Sequence, residues 1–281
     1  MNETMKLLLA GGDMRFAWAA RLAARQGIDT ATVGLEKSGY PLRQADEGFI
    51  RSADAILMAN PWRTSFPGPL GEGWPRADEI MAMMRTGAAL ILPDDIGAPE
   101  NAPARLCLDA DENYTQANAL LTAEGAVHAA MRALPCAIRD IRALVIGYGR
   151  IGRQTARLLT ALGASVTVAA RRGESRDQAE AAGAASCRLD ELAGRLGRWR
   201  LIISTPPATV LPEELLREID PDALLMDVAS SPFGFSLERA KALGLNAARE
   251  NGLPGRYCPE SAGRLLLDAA LKAMKKGEES T

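Results

Sequence analysis

Ala143-Leu-Val-Ile-Gly147-Tyr-Gly149-Arg-Ile-Gly152-Arg-Gln-Thr-Ala-Arg-Leu-Leu159 reads as a strand, a glycine-rich turn and a helix, in that order. The apolar run 143–146 suits a strand buried on both faces, and the residues after Gly152 carry apolar side chains at helical spacing. Each glycine answers a separate demand. Gly147 lets the chain turn tightly off the strand, Gly149 lets the backbone approach a pyrophosphate, and Gly152 lets helix and strand pack closely. The helix that Arg150 and Ile151 open then offers its free N–H groups and positive dipole end to the phosphates. With a further strand following, 147–152 is expected to be a dinucleotide cradle. The plainer alternative is a tight turn in an α/β domain that holds no nucleotide.

That further strand, Ala164-Ser-Val-Thr-Val-Ala-Ala170, runs out into Arg171-Arg172. NAD-binding units place an Asp or Glu there, roughly 20 residues past the glycines, on the ribose 2′-hydroxyl. This chain has Ala169 and Ala170 instead, and no carboxylate before Glu174. Arg171 and Arg172 offer forked, charge-assisted contacts to a 2′-phosphate, and Ser175 adds a hydroxyl. The expected cofactor is NADP; the alternative is a pair of solvated turn arginines.

A chain of 281 residues has room for two domains with their own cores. Its hydrophobic fraction of 47%, charged fraction of 24% and net charge of −2 are those of a soluble globular protein. They leave no basic surface for nucleic acid or an anionic membrane. No apolar run reaches spanning length, and the stretch before the first strand lacks the apolar core of a signal peptide, so the cytoplasm is the expected location. Cys107, Cys136, Cys187 and Cys258 are scattered and His128 is the only histidine. That spacing speaks against a zinc site or a disulfide framework, and no metal is expected.

Outward from the glycine turn, residues 6–10 read as a buried strand ending in Gly11-Gly12-Asp13. Residues 14–25 read as an alanine-rich amphipathic helix stopped by Gly27, and 30–35 as a second strand, making a βαβ unit. Strands are also expected at 53–59 and 88–92. Between them the loop 61–75 is dense in Pro and Gly and holds Trp62, Phe66 and Trp74; it is either a functional lid or a surface loop anchored by its aromatics. A helix over 121–134 joins this part to the nucleotide domain. Beyond the glycine turn, strands at 185–188, 201–204, 223–228 and 245–248 alternate with helices at 189–196, 212–218 and 237–243. The last helix, 260–275, follows the loop 251–259 and is expected to fold back onto the N-terminal domain. The fold class is α/β: two Rossmann-like, doubly wound parallel-sheet domains forming a clamp. Residues 1–120 with 258–281 make the substrate or partner domain, and 121–257 the NADP-binding domain.

Ligands of open α/β sheets bind beyond the carboxyl ends of the strands, which selects a few loops for the chemistry. Ser204-Thr-Pro-Pro207 brings Thr205 and Pro206 near a nicotinamide or its ribose. Asp227-Val-Ala-Ser-Ser-Pro-Phe presents Ser230 and Ser231, and Gly11-Gly-Asp-Met-Arg15 presents Arg15. Arg15 suits a substrate carboxylate, or else a surface ion pair with Asp13. Thr122, Ser230 and Ser231 can donate hydroxyls, while Asp227 is either a site residue or a cap in the sheet. His128 has an ordinary pKa near neutrality, which suits acid–base work, yet it lies one turn after Glu124 in an alanine-rich helix where a histidine is commonplace.

Several of these motifs together resemble the A subunit of dipicolinate synthase, over essentially the whole chain. They are Gly11-Gly-Asp-Met-Arg15, Asn118-Ala-Leu-Leu-Thr-Ala-Glu-Gly-Ala126, the glycine turn, Val166-Thr-Val-Ala-Ala-Arg-Arg172, Asp227-Val-Ala-Ser-Ser-Pro-Phe-Gly234 and Gly252-Leu-Pro-Gly255 with Ala262-Gly263. The glycine turn and the strand after it are shared by many dehydrogenases. The opening motif, the Thr-Ala-Glu-Gly-Ala segment and the Gly-Leu-Pro-Gly loop are more specific. One departure is Leu121, where the family leads one to expect a proline. The resemblance implies oxidation of a dihydrodipicolinate-type compound, or its hydroxylated tetrahydro precursor, to pyridine-2,6-dicarboxylate with NADP⁺ as hydride acceptor. It implies a partner, the flavoprotein-like B subunit of dipicolinate synthase, and a role in spore formation; a homo-oligomer is also expected. On this reading Arg15 and the Ser230-Ser231 loop hold the carboxylates of a small dicarboxylate. The rivals are an NADP-dependent dehydrogenase of the 2-hydroxyacid or shikimate type, and a non-catalytic NADP(H)-binding regulatory protein. For the 2-hydroxyacid type the chain lacks a histidine–carboxylate pair after the nucleotide motif, and for the shikimate type an obvious lysine–aspartate pair in the first domain.

Overall fold

The computed structural model describes residues 4–62, 66–71 and 75–279. The chain divides into two units, Met1–Asn118 with Pro254–Thr281, and Ala119–Leu253, each built on its own parallel sheet. In chain order the first unit contains β1 (Lys6–Ala10), α1 (Met14–Arg25), β2 (Asp29–Val33), α2 (Glu47–Ser52), β3 (Ala55–Met58), α3 (Ala77–Met83), β4 (Ala89–Leu92) and β5 (Leu106–Cys107). The long α4 (Glu112–Ala133) carries the chain across the division. The second unit contains β6 (Arg142–Ile146), α5 (Arg150–Ala161), β7 (Ser165–Ala169), α6 (Gly173–Ala181), β8 (Ala185–Cys187), β9 (Leu201–Ser204), α7 (Glu213–Leu216), β10 (Leu224–Asp227), α8 (Leu237–Ala242) and β11 (Asn246–Arg249). The chain then returns to the first unit through α9 (Leu253–Tyr257) and α10 (Pro259–Glu279).

The two sheets have the two common doubly wound orders. The first runs β2-β1-β3-β4-β5 and the second β11-β10-β9-β6-β7-β8. Strand order therefore reverses between β1 and β3 in the first unit and between β6 and β9 in the second, and these are the places where such sheets bind ligands. The α/β reading of the sequence, with two doubly wound parallel sheets, holds.

Strand alternation sorts the first unit's core into two faces. Leu7, Leu9, Ala55, Leu57 and Ile91 point to one side and meet Phe16, Ala20 and Ala23 of α1 with Leu266, Leu267 and Ala270 of α10. Leu8, Ala10, Ile56, Met58 and Leu90 point to the other and meet Phe49 and Ile50 of α2 and Ile80 of α3. The C-terminal helix does fold back, as expected, and does so by close approach. A Cβ on Gly263 would stand 2.6 Å from Cβ of Trp18 and 2.8 Å from the carbonyl of Arg15, so only glycine lets α10 cross α1 there. Burying Leu266 and Leu267 is worth roughly 1.5–3 kcal/mol each.

Three expectations need correction. The span 189–196 is not a helix but two short 3₁₀ turns, Leu189–Glu191 and Leu196–Arg198. Leucines at 189, 192 and 196 imitate helical spacing, yet Gly194 sits at φ +73° and stops propagation. The helix expected at 121–134 begins at Glu112, where the Asp111 carboxylate accepts from the Asn113 N–H at 3.0 Å. The loop 251–259 contains a helical turn, α9.

Candidate functional site

At the switch point of the second unit the glycine turn is held by its neighbours. Gly147 has φ +89°, and a Cβ there would meet Oγ1 of Thr205 at 2.7 Å and Cγ of Pro206 at 2.9 Å. Thr205 donates its hydroxyl to the Ile146 carbonyl at 2.9 Å, and its backbone N–H donates to the same oxygen at 3.1 Å. Thr205 and Pro206 therefore press on the turn from β9. Gly152 is tighter still: a Cβ there would lie 2.2 Å from the Gly147 carbonyl. Gly149 is different. Its backbone is extended, which any residue adopts, and a Cβ there would meet nothing within 4 Å. It is also the N-cap of α5 and, being glycine, puts no capping side chain of its own over the first turn. Room above Gly149 at the start of a helix is what a pyrophosphate needs, so these residues fit the cofactor. Arg150 is exposed and Ile151 half-buried at the start of α5.

Where β7 ends, Arg171 and Arg172 are exposed, and Ser175 lies in the first turn of α6. Arg176 donates to the carbonyls of Ala170 and Arg171 at 3.0 and 2.8 Å and so fixes the turn that carries the two arginines. Beside them, Arg171, Arg188, Leu189 and Asp190 line a depression of about 310 Å³.

The loop after β10 hangs on one carboxylate. Asp227 is fully buried; it accepts from the N–H groups of Ala229 at 3.1 Å and Gly234 at 2.9 Å. Arg249, at the end of β11, comes within 4.0 Å of that carboxylate, donates to the Phe235 carbonyl at 3.0 Å and stacks 3.5 Å from the Phe233 ring centre. Burial pushes the Asp227 carboxyl above its ordinary pKa, and these N–H groups and Arg249 offset only part of that. Of the two readings of Asp227, its geometry is that of the cap: it shapes the loop that exposes Ser230 and Ser231. Thr122 is buried on α4, and His128 is exposed on the same helix.

The first unit has its own strand-end site. At the β1/β3 switch point a cavity of about 170 Å³ is lined by Gly12, Asp13, Arg15, Asn60, Phe66 and Gly68, among others. Asp13 caps α1 by accepting from the Arg15 N–H at 3.0 Å, and takes Nε of the same residue at 2.9 Å. Both readings of Arg15 are thus compatible. Its Nε is spent on Asp13, while no partner binds the outer edge of the fork among the described residues. Burial works against the Arg15 charge, but Asp13, with Tyr114 and Asp94, outweighs it and raises the pKa. Burial likewise pushes the Tyr114 phenol up, Arg15 pulling it back and Asp94 adding to it. Asn60 donates to Asp94 at 2.8 Å and accepts from the Trp62 N–H at 2.9 Å. The 66–71 part of the long loop seats on β1's end, since a Cβ on Gly68 would stand 2.7 Å from the Gly12 carbonyl. Trp74 lies outside the described residues. Gly255 of α9 also abuts this site, leaving 2.7 Å between its Cβ position and Asp13. Sequence reasoning missed Asn60, Asp94, Tyr114, Arg188 and Arg249. The strand-end rule, applied to β3, β4, β8 and β11, would have found all but Tyr114.

Among the described residues no cluster of His, Cys, Asp or Glu is placed to hold a metal ion, and no helix is long and apolar enough to cross a membrane. The sheet order, the glycine turn and the open N-terminus of α5 define an NAD(P)-binding, dehydrogenase-like protein. Residues 105–231 match the family described as D-isomer specific 2-hydroxyacid dehydrogenase, NAD binding domain. Over nearly its whole length the chain is similar to the A subunit of dipicolinate synthase. It is 26% identical to that protein of Bacillus subtilis (strain 168), over 98% of this chain and 97% of the relative. The fold is that of two crystal structures of this same subunit. One is from Bacillus halodurans (TM-score 0.80, 23% identity, 96% and 98% of the two chains), the other from Bacillus subtilis (TM-score 0.80, 22% identity, 100% and 99%).

Proposed function

We propose that this chain oxidises a dihydrodipicolinate-type ring dicarboxylate, or its hydroxylated tetrahydro precursor, to dipicolinate with NADP⁺. It would act in the cytoplasm as a homo-oligomer, with the flavoprotein-like B subunit of dipicolinate synthase for partner, in spore formation. The full-length match to the A subunit of that enzyme carries this reading. Bound NADP⁺ supplies the hydride acceptor. The chain's own residues bind and orient: Gly147, Gly149 and Gly152 with the first turn of α5 take the pyrophosphate, and Arg171, Arg172 and Ser175 the 2′-phosphate. Arg15 takes a carboxylate on the free edge of its fork, and Ser230 and Ser231 offer hydroxyls. The hydroxylated precursor first loses water. The dihydro ring then gives a hydride to the cofactor and a proton to an acceptor; since aromatisation favours this, positioning and that proton acceptor are the main contributions required. Thr122, buried, and His128, on an exposed face, are given no step.

The test is anaerobic turnover with freshly generated dihydrodipicolinate and NADP⁺, following reduced cofactor and dipicolinate together. Appearance of both, by this chain alone or with its flavoprotein-like partner added, supports the reading; bound cofactor without turnover in either case overturns it in favour of a regulatory protein. Arg15→Ala is expected to raise KM about tenfold or more, since charge-assisted hydrogen bonds contribute about 1.5–3 kcal/mol. An unchanged KM removes Arg15 from the site. The double change Arg171→Ala with Arg172→Ala is expected to weaken NADP⁺ binding about tenfold or more and spare NAD⁺, because only the former brings a phosphate of about two negative charges. Equal losses for the two cofactors would refute the 2′-phosphate role.

A further inference from the structure

At the ends of β7 and β8, adjacent in the sheet, the depression beside Arg171 holds a second cation that the fold neutralises from within. Arg188 donates from Nε to Oδ1 of Asp190 at 2.9 Å and from Nη2 to Oδ2 at 2.5 Å. This two-pronged grip takes the Nε–Nη2 edge, one of the two edges of the guanidinium that can clasp a phosphate, and neutralises its charge. Both side chains are more than half exposed, at 59% and 64%, so the pair has little burial to hold it together. The backbone beneath does not depend on that pair. The Glu191 carboxylate accepts from the Arg188 N–H at 3.0 Å and its own N–H donates to the Arg188 carbonyl at 3.2 Å, so the 3₁₀ turn closes without the side-chain pair. The Arg188 side chain can therefore change partner without unfolding its turn. Ala170 N–H donates to the Cys187 carbonyl at 3.1 Å, which fixes Arg171 and Arg188 on neighbouring strand ends of the same sheet.

We infer that Asp190 is an internal anion that occupies the fork of Arg188 until a cofactor 2′-phosphate displaces it, and that this exchange sets the preference between NADP and NAD. The inference rests on the reading of Arg171 and Arg172 as 2′-phosphate ligands and extends it to the next strand. With the Arg188–Asp190 pair intact, the four lining residues carry one net positive charge, from Arg171. With Arg188 turned to the phosphate, two guanidinium groups face about two negative charges. Asp190 then stands unpaired beside the phosphate and weakens binding by like-charge repulsion. NAD, with a hydroxyl at that position, has no use for Arg188 and leaves the pair closed.

The opposite signs expected for the two partners make this testable by direct binding, using calorimetric titration of the full chain with NADP⁺ and with NAD⁺. Asp190→Asn frees Arg188 and is expected to tighten NADP⁺ binding several-fold with NAD⁺ unchanged. Arg188→Ala leaves Asp190 unneutralised and is expected to weaken NADP⁺ about tenfold or more, again sparing NAD⁺. Adding Asp190→Ala to Arg188→Ala should recover part of that loss. A built-in control exists in the first unit, where Arg76, Asp78 and Glu79 repeat the same local frame, Arg76 gripping Asp78 at 3.1 and 2.6 Å and its N–H donating to Glu79 at 2.8 Å. Asp78→Asn should leave both affinities as they are. If the arginine pair 171 and 172 proves selective for NADP⁺ while changes at 188 and 190 leave the NADP⁺-to-NAD⁺ ratio within twofold, the inference fails alone and the frame is only a turn motif. If the 171 and 172 changes are themselves unselective, the underlying reading fails and takes the inference with it.

Discussion

Alanine in place of Gly149 is expected to leave the second unit folded and to remove most of its cofactor affinity. The added Cβ meets no protein atom within 4 Å, and the extended backbone at that position accepts any residue. Loss of glycine at an N-cap costs less than about 1 kcal/mol, so the melting temperature should move little. The methyl group would instead occupy the space through which a pyrophosphate approaches the first turn of α5. An increase in Kd of about a hundredfold, or about 2.7 kcal/mol, is expected by titration. Gly152→Ala provides the contrast. Its Cβ would lie 2.2 Å from the Gly147 carbonyl, so α5 must move off β6, and stability and binding should fall together. Were Gly149→Ala to bind NADP⁺ and NAD⁺ as well as the unaltered chain, the turn would be architectural only.

Asp227→Ala is expected to cost roughly 3 kcal/mol, because it leaves the buried N–H groups of Ala229 and Gly234 without their acceptor. The loop that carries Ser230 and Ser231 should lose its shape with it. The pH dependence has a definite sign. Burial holds this carboxyl above the unfolded value near 4, so the folded state keeps a proton that the unfolded chain has released. The group's contribution is complete below the unfolded pKa and declines as pH rises through the raised one. Denaturant midpoints for the two proteins should therefore differ most at the acid end and converge toward neutrality. A gap that widens with rising pH contradicts the assigned burial effect.

The strands were legible because a parallel sheet covered on both faces demands unbroken apolar runs, and Leu7–Ala10 and Ala143–Ile146 are such runs. Because its spacing is distinctive, with Gly147 and Gly152 each required by a close contact and Gly149 left open, the glycine turn was legible. Helices α2, α3 and α6 were not. They are short and polar, and what makes them helices is the cover they give the sheet through a few residues such as Phe49, Ile80 and Ala179. The site residues Asn60, Asp94 and Arg188 stand at the ends of legible strands, but what they face was not legible. Their significance comes from which strands become neighbours, and β3 lies beside β1 only after the sheet order is known. Arg188 in particular sits within Arg-Leu-Asp-Glu, an ordinary turn sequence until β8 brings it beside Arg171.

The half of the first unit's core that α10 completes has a consequence for synthesis. Residues 1–118 leave the ribosome first, yet Leu266, Leu267 and Ala270 arrive last. Until then the stretch of α1 around Arg15, Trp18 and Ala19, where Gly263 of α10 closes in, has no cover. The second unit, continuous from Ala119 to Leu253, is complete while the first still waits. Chains normally mature from the amino end; here the unit begun first closes after the unit begun second. A premature stop anywhere between Leu253 and Leu266 would release a protein with a finished second unit and an open, adhesive first unit, a ready target for chaperones and proteases.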